Sequence, residues 1–211
     1  MPDPTLRPRL DTVTTRLSIR PLAARDFAAW HTANAEHPPP DSLFDRGPRP
    51  LAELTRKALR SMVDRYRKMR RNDCFYSFSL FDRSEQTLIG AVSLQIIARI
   101  HLQLAWIGWG IFGQHRRKGY AREGVDAVIR LAFRELALHR LEAGIEPANH
   151  PSIRLARSLG LEKQASHKKC LFLRGTWVDL DVFATNAEDW GVQVVPSVGL
   201  DLAIPRRIET P

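Results

Sequence analysis

Six consecutive residues of this 211-residue chain, Arg116-Arg117-Lys118-Gly119-Tyr120-Ala121, join three cations to a glycine and a small residue. That combination suits a polyphosphate. The first N–H groups of a helix have no acceptor one turn back and carry a partial positive charge. A phosphate placed there gains several hydrogen bonds and a favourable dipole. Gly119 lets the backbone approach closely, Ala121 is small for the same reason, and Arg122 adds a further charge. The spacing is neither Gly-x-Gly-x-x-Gly nor a Walker loop, so neither a dinucleotide nor a nucleoside triphosphate is implied. For the hexapeptide alone, a basic helix N-terminus facing water is the competing reading.

The neighbouring elements favour the phosphate reading. Leu104 to Ile111 reads as a buried strand ahead of the loop, and Gly119 to Leu138 as an amphipathic helix after it, with Val125, Val128, Ile129, Ala132, Phe133 and Leu136 at i, i+3, i+4 steps. Upstream, Thr15–Leu22 alternates as a strand and Ala24–Glu36 reads as a short helix. His37–Pro50 carries five prolines and is a loop. Leu51–Arg71 reads as a helix with an apolar face and a basic face (Arg56, Lys57, Arg60, Arg67, Lys68, Arg71). Tyr76–Leu80, Leu88–Ile97 and Leu104–Ile111 form an antiparallel meander. Arg140–Glu146 follows a strand–helix unit and should lie parallel to Leu104–Ile111. Pro151–Leu159 is a short helix, and Lys163–Leu173 with Trp177–Thr185 is a hairpin around Arg174-Gly175. The result is a mixed sheet with helices on both faces. Residues 1–14 read as a flexible arm and 186–211 as a tail around a domain spanning 15–185.

Composition bounds the partners. The formal net charge of +9 favours an anionic partner (nucleic acid, a ribosomal surface or a phosphate-rich cofactor), with a solvated basic surface as the alternative. Two cysteines, Cys74 and Cys170, are too few for a disulfide scaffold or a thiolate zinc site, so no metal is expected. No apolar run approaches the roughly 20 residues that cross a bilayer. The polar start Met1-Pro2-Asp3-Pro4 does not read as a signal peptide. A cytoplasmic protein that makes no use of a membrane is expected.

Several segments in order and at matching spacing resemble the GNAT acetyltransferases, and within them the RimJ/RimL-type branch that acetylates N-termini of ribosomal proteins. They are Leu104–Ile111, Arg116–Ala121, Leu138–Ala143, Pro147–Ser152, Leu159-Gly160-Leu161 and Gly175–Asp179. The resemblance is good from about Leu88 to Thr185. It implies an α/β fold, the GNAT acyl-CoA N-acyltransferase fold. In that fold a mostly antiparallel central sheet is splayed between the fourth and fifth strands, here Leu104–Ile111 and Arg140–Glu146. It implies acetyl-coenzyme A (acetyl-CoA) as co-substrate. Gly110 and Ile111 would then hold the pantetheine and acetyl carbonyl through their backbone, on a strand bulged at Gly108 and Gly110. Arg116, Arg117, Lys118, Gly119, Tyr120, Ala121 and Arg122 would hold the pyrophosphate. Asn149 would contact the pantetheine, or cap the helix from Pro151. Ser152 matches the family serine that serves as general acid for the leaving thiolate, or is an ordinary early-helix serine.

Transfer would be direct, an amine attacking the thioester while backbone N–H groups meet the oxyanion. An N-terminal α-amine, with a pKa near 8, needs only modest help to lose its proton. The strand Gln103–Ile111 offers no carboxylate, so Glu146 and Asp179 are the candidates for base, with His167 as a further possibility. Asp179 and Asp181 share a strand face and are alternatively acceptor ligands. Cys170 stands where many relatives have tyrosine. Three functions remain open: acetylation of a protein N-terminus, most consistent with a ribosomal protein; acetylation of an amino acid, polyamine or antibiotic amine; and a non-catalytic basic protein that binds RNA or the ribosome. The enzyme readings are compatible with a monomer or a homodimer.

Overall fold

The computed structural model describes residues 8–40, 45 and 47–194. Its single sheet begins with a small hairpin in which β1 (Thr12–Val13) pairs with β2 (Leu17–Arg20). Leu17 and Ile19 point to the core and are fully buried, as their alternation demands. Thr12 and Val13 fall within the segment read as a loose arm. Two residues offer too short an alternation to read, and a partner strand gives their backbone its bonds.

The meander follows as β3 (Phe75–Asp82), β4 (Leu88–Ala98) and β5 (Leu104–Ile111). Then β6 (Arg140–Ile145) lies parallel to β5, and β7 (Glu162–Leu173) and β8 (Thr176–Asn186) form the last hairpin. The order across the sheet is β1-β2-β3-β4-β5-β6-β8-β7, and β5–β6 is its parallel pair.

Both faces are covered. α1 (Phe27–Ala35) and α2 (Arg56–Arg71) pack Trp30, Leu59 and Val63 against Phe81 and Leu88. On the opposite face α3 (Tyr120–Glu135) and α4 (His150–Ser158) bury Val125, Val128, Ile129 and Phe133 against Leu80, Val92, Ile107 and Leu141. Leu80 and Phe81 are sequence neighbours that face opposite cores, so β3 is sandwiched between the two helix layers. Truncating the fully buried Phe133 to alanine would cost about 3–5 kcal/mol.

Helix α2 starts five residues later than the apolar pattern suggests. Thr55 caps it, its Oγ1 accepting from Ala58 N–H, and Leu51–Glu53 forms a separate 3-10 turn that leaves Leu51 exposed. The segment read as a tail starts in contact with the core. The Trp190 ring packs at a tilt against Phe133, 6.4 Å between centres, and its indole N–H donates to Thr185, while Val192 and Val194 pack nearby. Residues 1–7 and 195–211, the ends of the expected arm and tail, lie outside the described residues.

Candidate active site

The parallel pairing of β5 with β6 extends only from Leu104↔Arg140 to Trp106↔Glu142. Beyond that point the two strands diverge. On its other edge β5 stays paired with β4 through Gly108 and Gly110 to Ile111, and the register shift in that pair lies between Ile96 and Ala98. The opening is therefore made by lost pairing toward β6, and the expected bulge at Gly108 and Gly110 is not there. Phe112 N–H donates to Ile89 O at 3.0 Å, which sets the parity of the β4–β5 ladder. Even-numbered residues, Gly108 and Gly110 among them, turn their peptide groups toward β4. Odd-numbered Ile107, Trp109 and Ile111 turn theirs into the split. The strand peptide groups that face the opening are therefore those of Trp109 and Ile111, while those of Gly110, expected in that place, face β4.

Gly110 contributes clearance instead. A Cβ built there meets no atom within 4 Å, so neither packing nor a positive φ requires glycine at this position. A ligand lying on the split strands would use that space.

The split encloses a cleft of about 100 Å³ lined by Ile107, Gly108, Trp109, Ala143, Gly144, Ile145, Glu146, Asn149 and Ser152. Three candidates of distant chemistry, Glu146, Asn149 and Ser152, thus meet in one place. Asn149 is the N-cap of α4, its Oδ1 accepting from Ser152 N–H at 3.2 Å. That bond uses one end of the amide and leaves the Nδ2 end without a partner among the described residues. Capping and ligand contact are compatible.

Asp179 lies elsewhere. On β8, beyond the β6 pairing, its carboxylate accepts from Lys168 Nζ and Lys169 N–H, both at 2.8 Å. The lysine, then that N–H, holds its pKa below the usual carboxylate range. Asp181 is likewise taken by Lys163 (2.8 Å) and Ser166 (2.7 Å). Both carboxylates are engaged by lysines, and neither lies in the cleft lining. His167 and Cys170 are exposed on β7 and also lie outside the cleft lining.

The loop expected to take a phosphate has a backbone shape that suits an anion. Gly119 is the N-cap of α3 with φ +81°, and Arg117 also sits at positive φ. Among the described residues, none of the backbone hydrogen bonds between elements uses the N–H groups from Arg117 to Arg122. Arg16, which the sequence did not single out, orients the loop. Its guanidinium donates to Lys118 O (2.8 Å), pairs with Glu123 (2.6 Å) and lies 4.6 Å from the Tyr120 ring centre. Because the peptide is trans, holding that carbonyl on one side turns the Gly119 N–H to the other. Glu123 would be raised by burial, but Thr14 and the Arg16 backbone and side chain outweigh this and lower it. The side chains of Arg117, Lys118 and Arg122 are exposed. That of Arg116 instead turns inward, donating from Nε to Ile111 O (3.2 Å) and pairing with Asp45.

A flush strand surface, freed strand N–H groups, and a helix N-terminus with a left-handed glycine and three exposed cations suit a ligand with a pantetheine arm and a pyrophosphate. The residues present fit acetyl-CoA. Among the described residues no group of three or more His, Cys, Asp or Glu is placed to hold a metal ion, and no helix is long and apolar enough to cross a membrane.

Comparisons with known proteins agree. Residues 16–162 match the family model described as acetyltransferase (GNAT) domain. The chain is 38% identical over 125 residues to the probable N-acetyltransferase YjcK of Bacillus subtilis, covering 59% of this chain and 69% of that one. It is 28% identical over 189 residues to the [ribosomal protein uS5]-alanine N-acetyltransferase of Escherichia coli, covering 87% and 94%. The crystal structure of ribosomal-protein-S5-alanine acetyltransferase from Vibrio fischeri superposes with a TM-score of 0.70 at 22% identity, over 86% of this chain and 99% of that one. A split sheet, a helix start suited to an anion and a family model matched over most of the chain mean that this protein belongs to the GNAT family and is an acetyl-CoA-dependent N-acetyltransferase.

Proposed function

We propose that the enzyme acetylates the α-amine of a protein N-terminus, of the ribosomal-protein type, with Glu146 as base and Ser152 as acid. The observation that carries the chemistry is the cleft in which Glu146, Asn149 and Ser152 line one wall and the freed strand β5 the other. Bound acetyl-CoA supplies an activated acetyl group. The N–H groups of Trp109 and Ile111 face the split and meet the charge that develops on the thioester oxygen; such electrostatic stabilisation does more than any other effect in many acyl transfers. Glu146, at the end of β6, takes the amine proton directly or through one water. Ser152, in the first turn of α4, donates to the departing thiolate, and Asn149 holds that turn in place. The chain's own contribution is to align the two reactants and to move these protons.

For the acceptor, support comes from the similarity to the uS5-alanine N-acetyltransferase, which runs the length of both chains. α2 adds to it. Arg56, Lys57, Arg60, Arg65, Arg67, Lys68 and Arg71 are exposed there, with Arg67–Asp64 as the helix's one ion pair among the described residues. Such a surface complements an RNA-rich partner. A polyamine is favoured less, since Asp179 and Asp181 are already paired with lysines and Glu146 is the one carboxylate in the cleft lining.

The test is an acceptor assay with acetyl-CoA on an alanine-first peptide, spermidine and free alanine. The expected result is a kcat/KM for the peptide at least about 100-fold above the others, a difference of about 2.7 kcal/mol. Faster turnover of spermidine or the free amino acid would replace this reading with a small-molecule one.

A further inference from the structure

Asp45 lies in the proline-rich loop, far in sequence from every residue of the donor site, yet its side chain is only 4% exposed and gathers three elements. One carboxylate oxygen accepts from the Arg116 guanidinium of the phosphate loop. The other faces His37 Nε2 at 2.8 Å and accepts from Gly47 N–H at 2.8 Å. Its backbone oxygen accepts from Arg174, at the turn of the β7–β8 hairpin. Burial pushes the Asp45 carboxyl up, but the Gly47 N–H, Arg116 and His37 outweigh it, so the group is held below its ordinary range as an anion.

The ring of contacts closes on itself. His37 Nδ1 accepts from Gly113 N–H at 3.2 Å, which leaves the proton on Nε2 to be donated to Asp45. Pro38 presses on Gly113 so closely that a Cβ there would sit 2.1 Å from Pro38 Cγ. Arg116 also holds Ile111 O, the end of the strand that faces the split. His37 and Asp45 are thus fastened to the peptide segment that runs from the acetyl end of the site (Ile111) toward its pyrophosphate end (Gly119), and the hairpin tip is joined to that segment through Asp45.

We propose that Asp45 is a positioning residue that couples donor binding to the acceptor side: occupation of the Arg117–Arg122 cradle, relayed through Arg116, steadies His37, Gly47 and the β7–β8 turn beside Gly113 and the acetyl end of the site, where the amine must arrive. The proposal rests on the acetyl-CoA reading of the cradle. A ligand that orders one part of a bonded network lowers the cost of ordering the rest, and such couplings are typically 5- to 150-fold in affinity.

Hydrogen exchange with and without coenzyme A tests it without knowledge of the natural acceptor. In the wild type, coenzyme A should slow exchange at 117–122 and also, by about tenfold, at the amides of His37, Gly47 and Arg49, which are the N–H groups the described part of the proline-rich loop carries, and at 171–177. In Asp45→Asn, protection at 117–122 should persist while the distant protection disappears. An alanine-first peptide used as probe acceptor should then show a KM raised about tenfold, with the KM for acetyl-CoA within about threefold of wild type. Arg174→Ala, at an exposed turn, serves should Asp45→Asn fail to fold. It should lose the response of 171–177 and keep that of His37, Gly47 and Arg49. Distant protection that survives in Asp45→Asn, or is missing in the wild type while 117–122 is protected, overturns the coupling and leaves the enzyme reading intact. No protection at 117–122 in the wild type overturns the donor-site reading, and the coupling with it.

Discussion

Asn149 caps a helix with its Oδ1 and keeps its Nδ2 available, and this division lets one side chain serve both packing and ligand. Gly110 separates the same two roles in another way. Space is open around it, so an added methyl should leave folding alone and obstruct only a bound molecule. Gly110→Ala is therefore expected to melt within about 1 °C of wild type, with a kcat/KM lowered at least about tenfold, or about 1.4 kcal/mol of lost binding to the transition state. A stable variant with wild-type kinetics would show that nothing lies on this face of the strand. Glu146→Gln should lower kcat about 100-fold or more, the usual share of a general base. Ser152→Ala should slow turnover while coenzyme A affinity stays nearly unchanged. If both retain full activity at neutral pH, the cleft has another base and another acid. Asp179 shows why the side-chain candidates were hard to rank from sequence. A carboxylate on a strand reads the same whether open or salt-bridged, and its partner Lys168 is a cross-strand neighbour whose register depends on the β7 bulge between His167 and Leu171.

The elements that carry the site were legible because their periodicities are strong. The meander, the parallel return and the last hairpin follow from alternation, turn residues and the long apolar stripe of α3. Short or edge features were not. Thr12–Val13 is too brief to alternate, and Leu51–Glu53 continues an apolar pattern that Thr55 interrupts. The β1–β2 hairpin is nonetheless firmly attached, since Arg20 at its end bridges Asp26 and Glu85 at 2.8 Å each. The hydrogen bond from Arg20, then that from Ser18, lowers the Glu85 pKa from 4.5 to about 2. A carboxylate with a folded pKa below its unfolded one adds stability above the unfolded value, and loses it as pH falls through the folded one. The contribution of Glu85 is thus complete above pH about 4.5 and gone below about 2. Thermal melts of Glu85→Gln and wild type should converge as pH drops across that window. A constant difference down to pH 2 would mean that the ion pair does not form in solution.

At the scale of the whole molecule, the expected donor site is assembled from segments more than 100 positions apart, as Arg16 and Lys118 show. At 100 times its dissociation constant, acetyl-CoA should stabilise the fold by about 2.7 kcal/mol, a rise in melting temperature of roughly 5–10 °C for a domain of this size. Gly119→Val should abolish that rise, because valine resists φ +81° and its Cβ would crowd Arg16 Nη2 at 3.2 Å. An unaltered rise would move the pyrophosphate elsewhere. The family resemblance alone placed Asn149 and Ser152, whereas the sequence by itself determined the layered α/β fold and a strand–loop–helix suited to a phosphate. These depend on local period and spacing, which a chain carries wherever it goes. Only the tertiary structure decided which of these groups are open and which are spent. It turned Arg116 inward onto Asp45, neutralised Asp179 with Lys168, recruited Arg16 to the loop, and split β5 from β6 after Trp106. Each of these rests on a contact between residues remote in sequence, and the pairing of remote charges leaves no periodic trace along the chain.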